Sequence, residues 1–162
     1  MTPPDITIAP ATPDDIPTIL ALIRKLAEYE KLSDRVIATE ESLRRDLFGD
    51  SRYAEVLIGR FEAAAVGYAL FFHSYSTFMG KPGIYLEDVY VNPAARGKGV
   101  GKRLLRDVAR IARDRGCGRI EWSVLNWNTP AIEFYESLDA EPLKEWTMYR
   151  LDEVGIAKLA QS

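Results

Sequence analysis

The sequence predicts a mixed α/β (α+β) fold, a central sheet flanked by helices, and three observations carry that reading. Its hydrophobic periodicity changes in the order strand, two helices, three strands, helix, strand, helix, strand. The run of three middle strands is joined by short turns, which is how antiparallel neighbours connect. A length of 162 residues is enough for one core, since roughly 68–70% of the unfolded surface can be buried at this size, and one domain over 1–162 is expected.

The elements can be justified in order. "ITIA" at 6–9 is a short strand. Thr12, Pro13 and Asp15 then mark a helix start: an N-cap hydroxyl, a proline at the first helical position, and an acid three residues after the cap. Ile16, Ile19, Leu20, Ile23, Leu26 and Ala27 recur at helical spacing, so the first helix ends near Glu30. Past a loop with Ser33 and Asp34, Thr39 is a second N-cap, Leu43, Leu47 and Phe48 share a face, and Gly49 stops the helix. "YAEVLIGRF" and "AAAVGYALFFHSYS" read as a hairpin broken near Glu62, and "GIYLEDVYV" follows the turn around Gly80, Pro82 and Gly83. Pro93 ends that strand because it cannot donate to a ladder. Val100, Leu104, Leu105, Val108 and Ala112 form the buried stripe of the next helix, which Gly116 or Gly118 closes. "RIEWSVL" at 119–125 reads as a strand, Pro130 opens a short helix with Ile132, Phe134, Tyr135 and Leu138, and "EWTMYRL" at 145–151 alternates as a last strand. "LDEVGIAKLA" is a weakly helical tail.

Composition excludes several classes. A net charge of -3 argues against nucleic acid as a partner and favours a cationic small substrate. No apolar run approaches the roughly 20 residues of a membrane span, and "MTPPDITIAP" lacks the regions of a signal peptide, so a soluble, cytoplasmic protein is expected. One cysteine and one histidine suggest no metal site. They do not suggest a Cys-His nucleophile either: Cys117 lies at a helix C-terminal end, where cations and not the N-terminal dipole are favoured, and His73 reads as a strand residue.

The densest chemical signal is "ARGKGVGKRLL" at 95–105, a glycine-rich turn between a strand and a helix. A nucleotide-hydrolase loop needs G-x-x-x-x-G-K-[ST], but three residues separate Gly97 from Gly101, and Arg103 stands where the hydroxyl belongs. A Rossmann turn needs a third glycine where Leu104 stands. The pattern R-x-x-G-x-G is met by Arg96, Gly99 and Gly101. Glycines let backbone N–H groups approach a diphosphate, and the helix beyond adds its positive N-terminal end. Without a ligand, a plain flexible turn remains the competing reading.

This turn resembles the one with which GNAT acetyltransferases hold the pyrophosphate of acetyl-CoA, and the element order from 6 to 151 is similar to that fold. The resemblance implies a sheet whose fourth and fifth strands splay apart, with the pantetheine arm between them. It further implies a coenzyme site of Val89, Tyr90, Val91, Arg96, Gly97, Lys98, Gly99, Val100, Gly101 and Lys102. The stretches "LIRKLAEYEKLSDRV", "YLEDVYV" and "WNTPAIEFYESL" resemble the diamine acetyltransferase branch, which contains spermidine/spermine and thialysine N-acetyltransferases. Asn128 then matches a coenzyme-contacting position, Tyr135 the general acid, and Tyr29 and Glu30 positions that contact the amine. The branch also implies a homodimer.

Acetyl transfer to an amine poses two proton problems. An alkylammonium with a pKa of about 10.4 is only about one part in a thousand neutral near pH 7.4, so a base must deliver the free amine. Glu87, acting through water, is the candidate. The departing thiolate needs a proton, for which Tyr135 is the candidate; by spacing alone that residue reads as a core aromatic, and the resemblance carries its catalytic role. Glu87 and Asp88 are neighbours, so in a strand they face opposite sides and cannot both be simple surface charges if one face is covered, and a carboxylate among "IYL" and "VYV" is costly to bury without a partner. With Tyr29 and Glu30 they would form an acidic acceptor pocket, although Glu30 also reads as a solvated helix-end charge. Glu145 is a weaker addition. Phe78, Asn126 and "ESL" at 136–138 depart from the polyamine enzymes, whereas "KLSDRV" and "YESL" look like the thialysine branch, which favours a small diamine or lysine-like acceptor. Asp139 stands where the resembled branch usually has glycine, and after a short helix it can adopt the left-handed conformation, though less easily than glycine. A polyamine acetyltransferase and a non-catalytic acyl-CoA-binding domain are the alternatives.

Overall fold

The computed structural model describes residues 3–162, which divide into two compact units at the Ser123/Val124 junction. In the first unit β1 (Ile6–Pro10), β2 (Glu55–Phe61), β3 (Ala64–Ser76), β4 (Lys81–Val91) and β5 (Ile120–Glu121) form one sheet in sequential order. The first four strands are antiparallel, and β4 pairs with β5 in parallel.

Thr12 and Asp15 close a capping box: Asp15 Oδ2 accepts from the Thr12 N–H at 2.8 Å, and Asp15 Oδ1 accepts from Arg60 on β2 at 3.0 Å. After a single 3-10 turn, α1 (Ile16–Tyr29) buries Ile16, Ile19, Leu20 and Leu22. In α2 (Glu40–Phe48) the Thr39 hydroxyl accepts from the Ser42 N–H at 3.1 Å, and Leu43 and Leu47 turn inward. These two helices share a core with Val56, Ile58, Tyr68 and Tyr90, alternate residues on one face of the sheet. The opposite face receives α3 (Val100–Asp114), whose five expected stripe residues are all buried. A Cβ on Gly59 of β2 would stand 2.9 Å from Val100 Cγ1, so glycine there lets α3 approach the sheet. The left-handed Gly116, with φ 71°, ends α3.

Two expected strands are corrected. The run 119–125 is a strand only at Ile120–Glu121, where Ile84 pairs with Ile120 and Tyr85 with Glu121. The fourth and fifth strands thus part after two paired positions, and β4 continues to Val91. In the second unit 145–151 is not a strand at all. Alternation suits a pleated surface, but a strand exists only where another backbone accepts and donates its hydrogen bonds, and the described residues of this unit contain no such ladder. Trp146, Met148, Tyr149 and Leu151 are exposed. The helices of this unit are α4 (Thr129–Glu136) and α5 (Glu153–Ala160), the latter capped by Asp152, whose Oδ1 accepts from the Gly155 N–H at 2.8 Å.

Candidate active site

The first unit carries two neighbouring surfaces of opposite construction, the glycine turn and an acidic cavity. In the turn Gly97 and Gly99 have φ of 77° and 93°, the left-handed region that side chains disfavour. A Cβ on either would meet nothing within 4 Å, so the backbone there is open to a ligand. Gly99 caps α3, whose first N–H groups have no intrahelical acceptor and point toward the turn. Arg103 is half-buried, and its Nε lies buried without a hydrogen-bond partner. Open backbone, free N–H groups and a cationic donor fit a diphosphate. Nothing in the sequence pattern distinguished Arg103 from the other arginines of this helix.

The other predicted coenzyme residues of this unit lie around the turn. Val100 and Tyr90 send their side chains into the core, which leaves only their backbone to a ligand. Lys102 is exposed, and Lys98 places Nζ 4.5 Å from the Phe61 ring centre. Val89 and Val91 lie on the part of β4 beyond its pairing with β5. Arg96 is exposed, yet its Nε donates to the Val91 carbonyl at 3.0 Å and its guanidinium covers the Tyr29 ring at 4.5 Å.

The cavity, about 430 Å³, opens beside the end of α1. Ile23, Leu26 and Ala27 of α1 and Val36 of the following loop give it apolar walls, and Glu30, Glu87, Asp88 and Arg35 give it charge. The two carboxylates of β4 share this space although neighbours in an unbroken strand cannot. Leu70 pairs with Asp88 and Phe71 with Leu86, so Glu87 is the extra residue of a β-bulge. A bulge turns a side chain away from its alternating face, and this overturns the expectation of opposite faces.

The bulge also separates the two acids in character. Glu87 is exposed. Asp88 is half-buried, and Tyr68, fully buried, donates to Asp88 Oδ2 at 2.9 Å. Burial pushes the Asp88 carboxyl up to about 6; the Tyr68 hydrogen bond opposes the rise, and the Glu87 and Glu30 charges add to it. Burial likewise raises the Glu30 carboxyl. The partner that makes the half-buried acid tolerable was hidden from sequence reasoning, because Tyr68 lies on a different strand.

The second unit holds the remaining predicted residues. Asn128 caps α4, its Oδ1 accepting from the Ala131 N–H at 3.4 Å. Tyr135 lies in the last turn of that helix, half-buried, with its ring 5.8 Å from that of Phe134. Asp139 adopts φ 63°, the left-handed conformation expected of it. Glu145 is exposed.

The acetyltransferase (GNAT) family profile matches residues 20–140, and the chain belongs to that family. It is 41% identical to the thialysine N-epsilon-acetyltransferase of Bos taurus over 96% of this chain and 97% of that protein. It is 32% identical to the L-ornithine N5-acetyltransferase of Arabidopsis thaliana over 87% of this chain and 82% of that one. Among solved structures, an integron cassette protein from the mobile metagenome of V. cholerae superposes with a TM-score of 0.81 at 25% identity, over 97% of this chain and 98% of that one. The protein is an N-acetyltransferase, and enzymes of this family take acetyl-CoA as co-substrate.

Proposed function

We propose that the protein acetylates a primary amine of a small lysine-like acceptor, of which thialysine is the type, by direct transfer within a ternary complex. The observation that carries this reading is the acidic cavity. Glu30, Glu87 and Asp88 converge over apolar walls, a surface that attracts an ammonium on an alkyl chain.

Acetyl-CoA supplies the acetyl group as an activated thioester. The turn from Arg96 to Lys102, with Val89, Tyr90 and Val91 through their backbone, holds it, and Asn128 adds a contact. Asp88, with Tyr29 and Glu30 beside it, binds the acceptor ammonium, and that positive charge favours the ionised carboxylate. Exposed Glu87 takes the ammonium proton through water, and the Tyr135 hydroxyl is the proton source for the leaving sulfur. We propose that residues 1–162 act as one catalytic domain in the cytoplasm. A homodimer is supported by the alternating stretch 145–151, whose apolar residues lie exposed. No helix of the described residues is long and apolar enough to cross a membrane.

The test is thiol release from acetyl-CoA with thialysine, lysine, ornithine, putrescine, spermidine and spermine against a blank without acceptor. Turnover with the amino acids above that with spermidine is expected. Preference for spermidine would replace the acceptor with a polyamine. Silence with every amine, together with coenzyme binding, would leave a non-catalytic acyl-CoA binder.

A further inference from the structure

The cavity contains one feature that an amine alone does not require. Among its lining residues Arg35 is the one base, set among Glu30, Glu87 and Asp88. For an acceptor that is only a cation, a guanidinium here is unfavourable, because like charges in one cleft repel. Its place is fixed by the chain: Lys31 takes φ 61°, the Leu32 N–H donates to the Ala27 carbonyl at 2.8 Å, and the Arg35 N–H donates to the Leu32 carbonyl at 2.9 Å. The side chain is exposed, and among the described residues its guanidinium forms no ion pair or side-chain hydrogen bond.

We propose that Arg35 is a specificity-determining residue that binds the α-carboxylate of the acceptor, and so makes the enzyme select amino acids over the diamines they become on losing that carboxylate. This rests on the amine-acetylating reading given above. The acceptor is then bound at two charged points, its side-chain ammonium among the acids and its carboxylate on the planar fork of Arg35, with the alkyl chain along Ile23, Leu26 and Val36. A diamine keeps the α-ammonium but lacks the carboxylate that neutralises that end, so the same guanidinium repels it. One side chain thus supplies both the attraction and the rejection that selectivity needs.

The test pairs each acceptor with its decarboxylated counterpart, lysine with cadaverine and ornithine with putrescine, in the chain of residues 1–162. The wild-type enzyme is expected to show a higher kcat/KM for the amino acid of each pair. Arg35→Gln should lower the ratio of amino acid to diamine about tenfold or more, with the change in KM, and Arg35→Lys should recover part of it by keeping the charge without the fork. An unchanged ratio in an active variant, or a wild-type preference for the diamine, overturns the role of Arg35 and leaves the acetyltransferase reading intact. A wild type that binds acetyl-CoA but acetylates none of the four amines refutes the acceptor reading itself, and the proposal fails with it.

Discussion

The glycine turn and the acidic cavity recognise charge by opposite means. The turn does so by omission: positive φ at Gly97 and Gly99, open space where side chains would stand, and helix N–H groups without acceptors. The cavity does so by accumulation, with three acids and a base crowded on apolar walls, one of the acids half-buried. A site made by omission costs chain entropy, and a site made by accumulation costs electrostatic free energy. Substitutions should therefore separate the two in kinetics as well as in stability.

The largest effect is expected at Glu87. General base catalysis contributes about 10²-fold or more, so Glu87→Gln should lower kcat about a hundredfold near neutral pH. The deficit should shrink toward pH 10, where the amine loses its proton unaided. Since Glu87 is exposed, the melting temperature should hardly move. A deficit that is constant with pH would remove Glu87 as the base.

On the other side of the comparison, Gly99→Ala puts a side chain at φ 93° and into the open cradle. The left-handed conformation alone costs about 1–2 kcal/mol for an L-residue. Acetyl-CoA affinity should fall about tenfold or more while KM for the amine stays near its original value, a pair of constants that steady-state kinetics separates. An equal loss in both would mean that the turn shapes the cavity as well.

Asp88→Asn should weaken amine binding by up to about tenfold and strengthen the fold. Asn keeps an acceptor for the Tyr68 hydroxyl but carries no charge. Holding the carboxyl at about 6 instead of 3.8 costs the native state about 3 kcal/mol once it is ionised. With the folded pKa above the unfolded one, the native state binds the proton more tightly, so stability is fully present below about pH 4 and is lost as pH rises through about 6. The variant should melt higher than the wild type at pH 7.5, and the gap should close toward pH 4. A gap independent of pH would mean that the carboxylate is not the source of the strain.

The contrast also explains which parts were legible in advance. The turn could be read because its chemistry is local: glycine is the residue that tolerates the φ that Gly97 and Gly99 adopt, and the helix that follows has its own apolar period. The cavity was legible only as a list of acids. Bringing Glu87 and Asp88 to one space depends on a register shift opposite Leu70 and Phe71, and half-burying Asp88 depends on Tyr68, twenty residues earlier. Neither leaves a pattern along the chain. The same limit applies to "EVLIGRF" at 55–61 and "EWTMYRL" at 145–151. The first lies between β1 and β3 and is a strand, whereas the second finds no ladder in its own unit, so alternation nominates a strand and a partner makes it one.

The smallest effect belongs to the residue that touches both surfaces. Arg96 is part of the turn by sequence, yet its guanidinium lies on Tyr29, the residue before Glu30 of the cavity, while its Nε holds the end of β4. Lysine in its place keeps the positive charge beside the turn but loses the directed Nε bond and most of the stacking surface. A partly exposed cation–π contact is worth about 0.5–1 kcal/mol, so Arg96→Lys should change either constant only about two- to fivefold. What distinguishes it is the direction of the change: because one side chain ties the end of α1 to the turn, the amine KM and the acetyl-CoA KM should rise together. Replacing Tyr29 by Leu removes the same contact from the cavity side, so adding Arg96→Lys to it should increase the acetyl-CoA KM by less than Arg96→Lys does alone. If the two substitutions instead act independently on that constant, the contact packs the surface without linking the two sites.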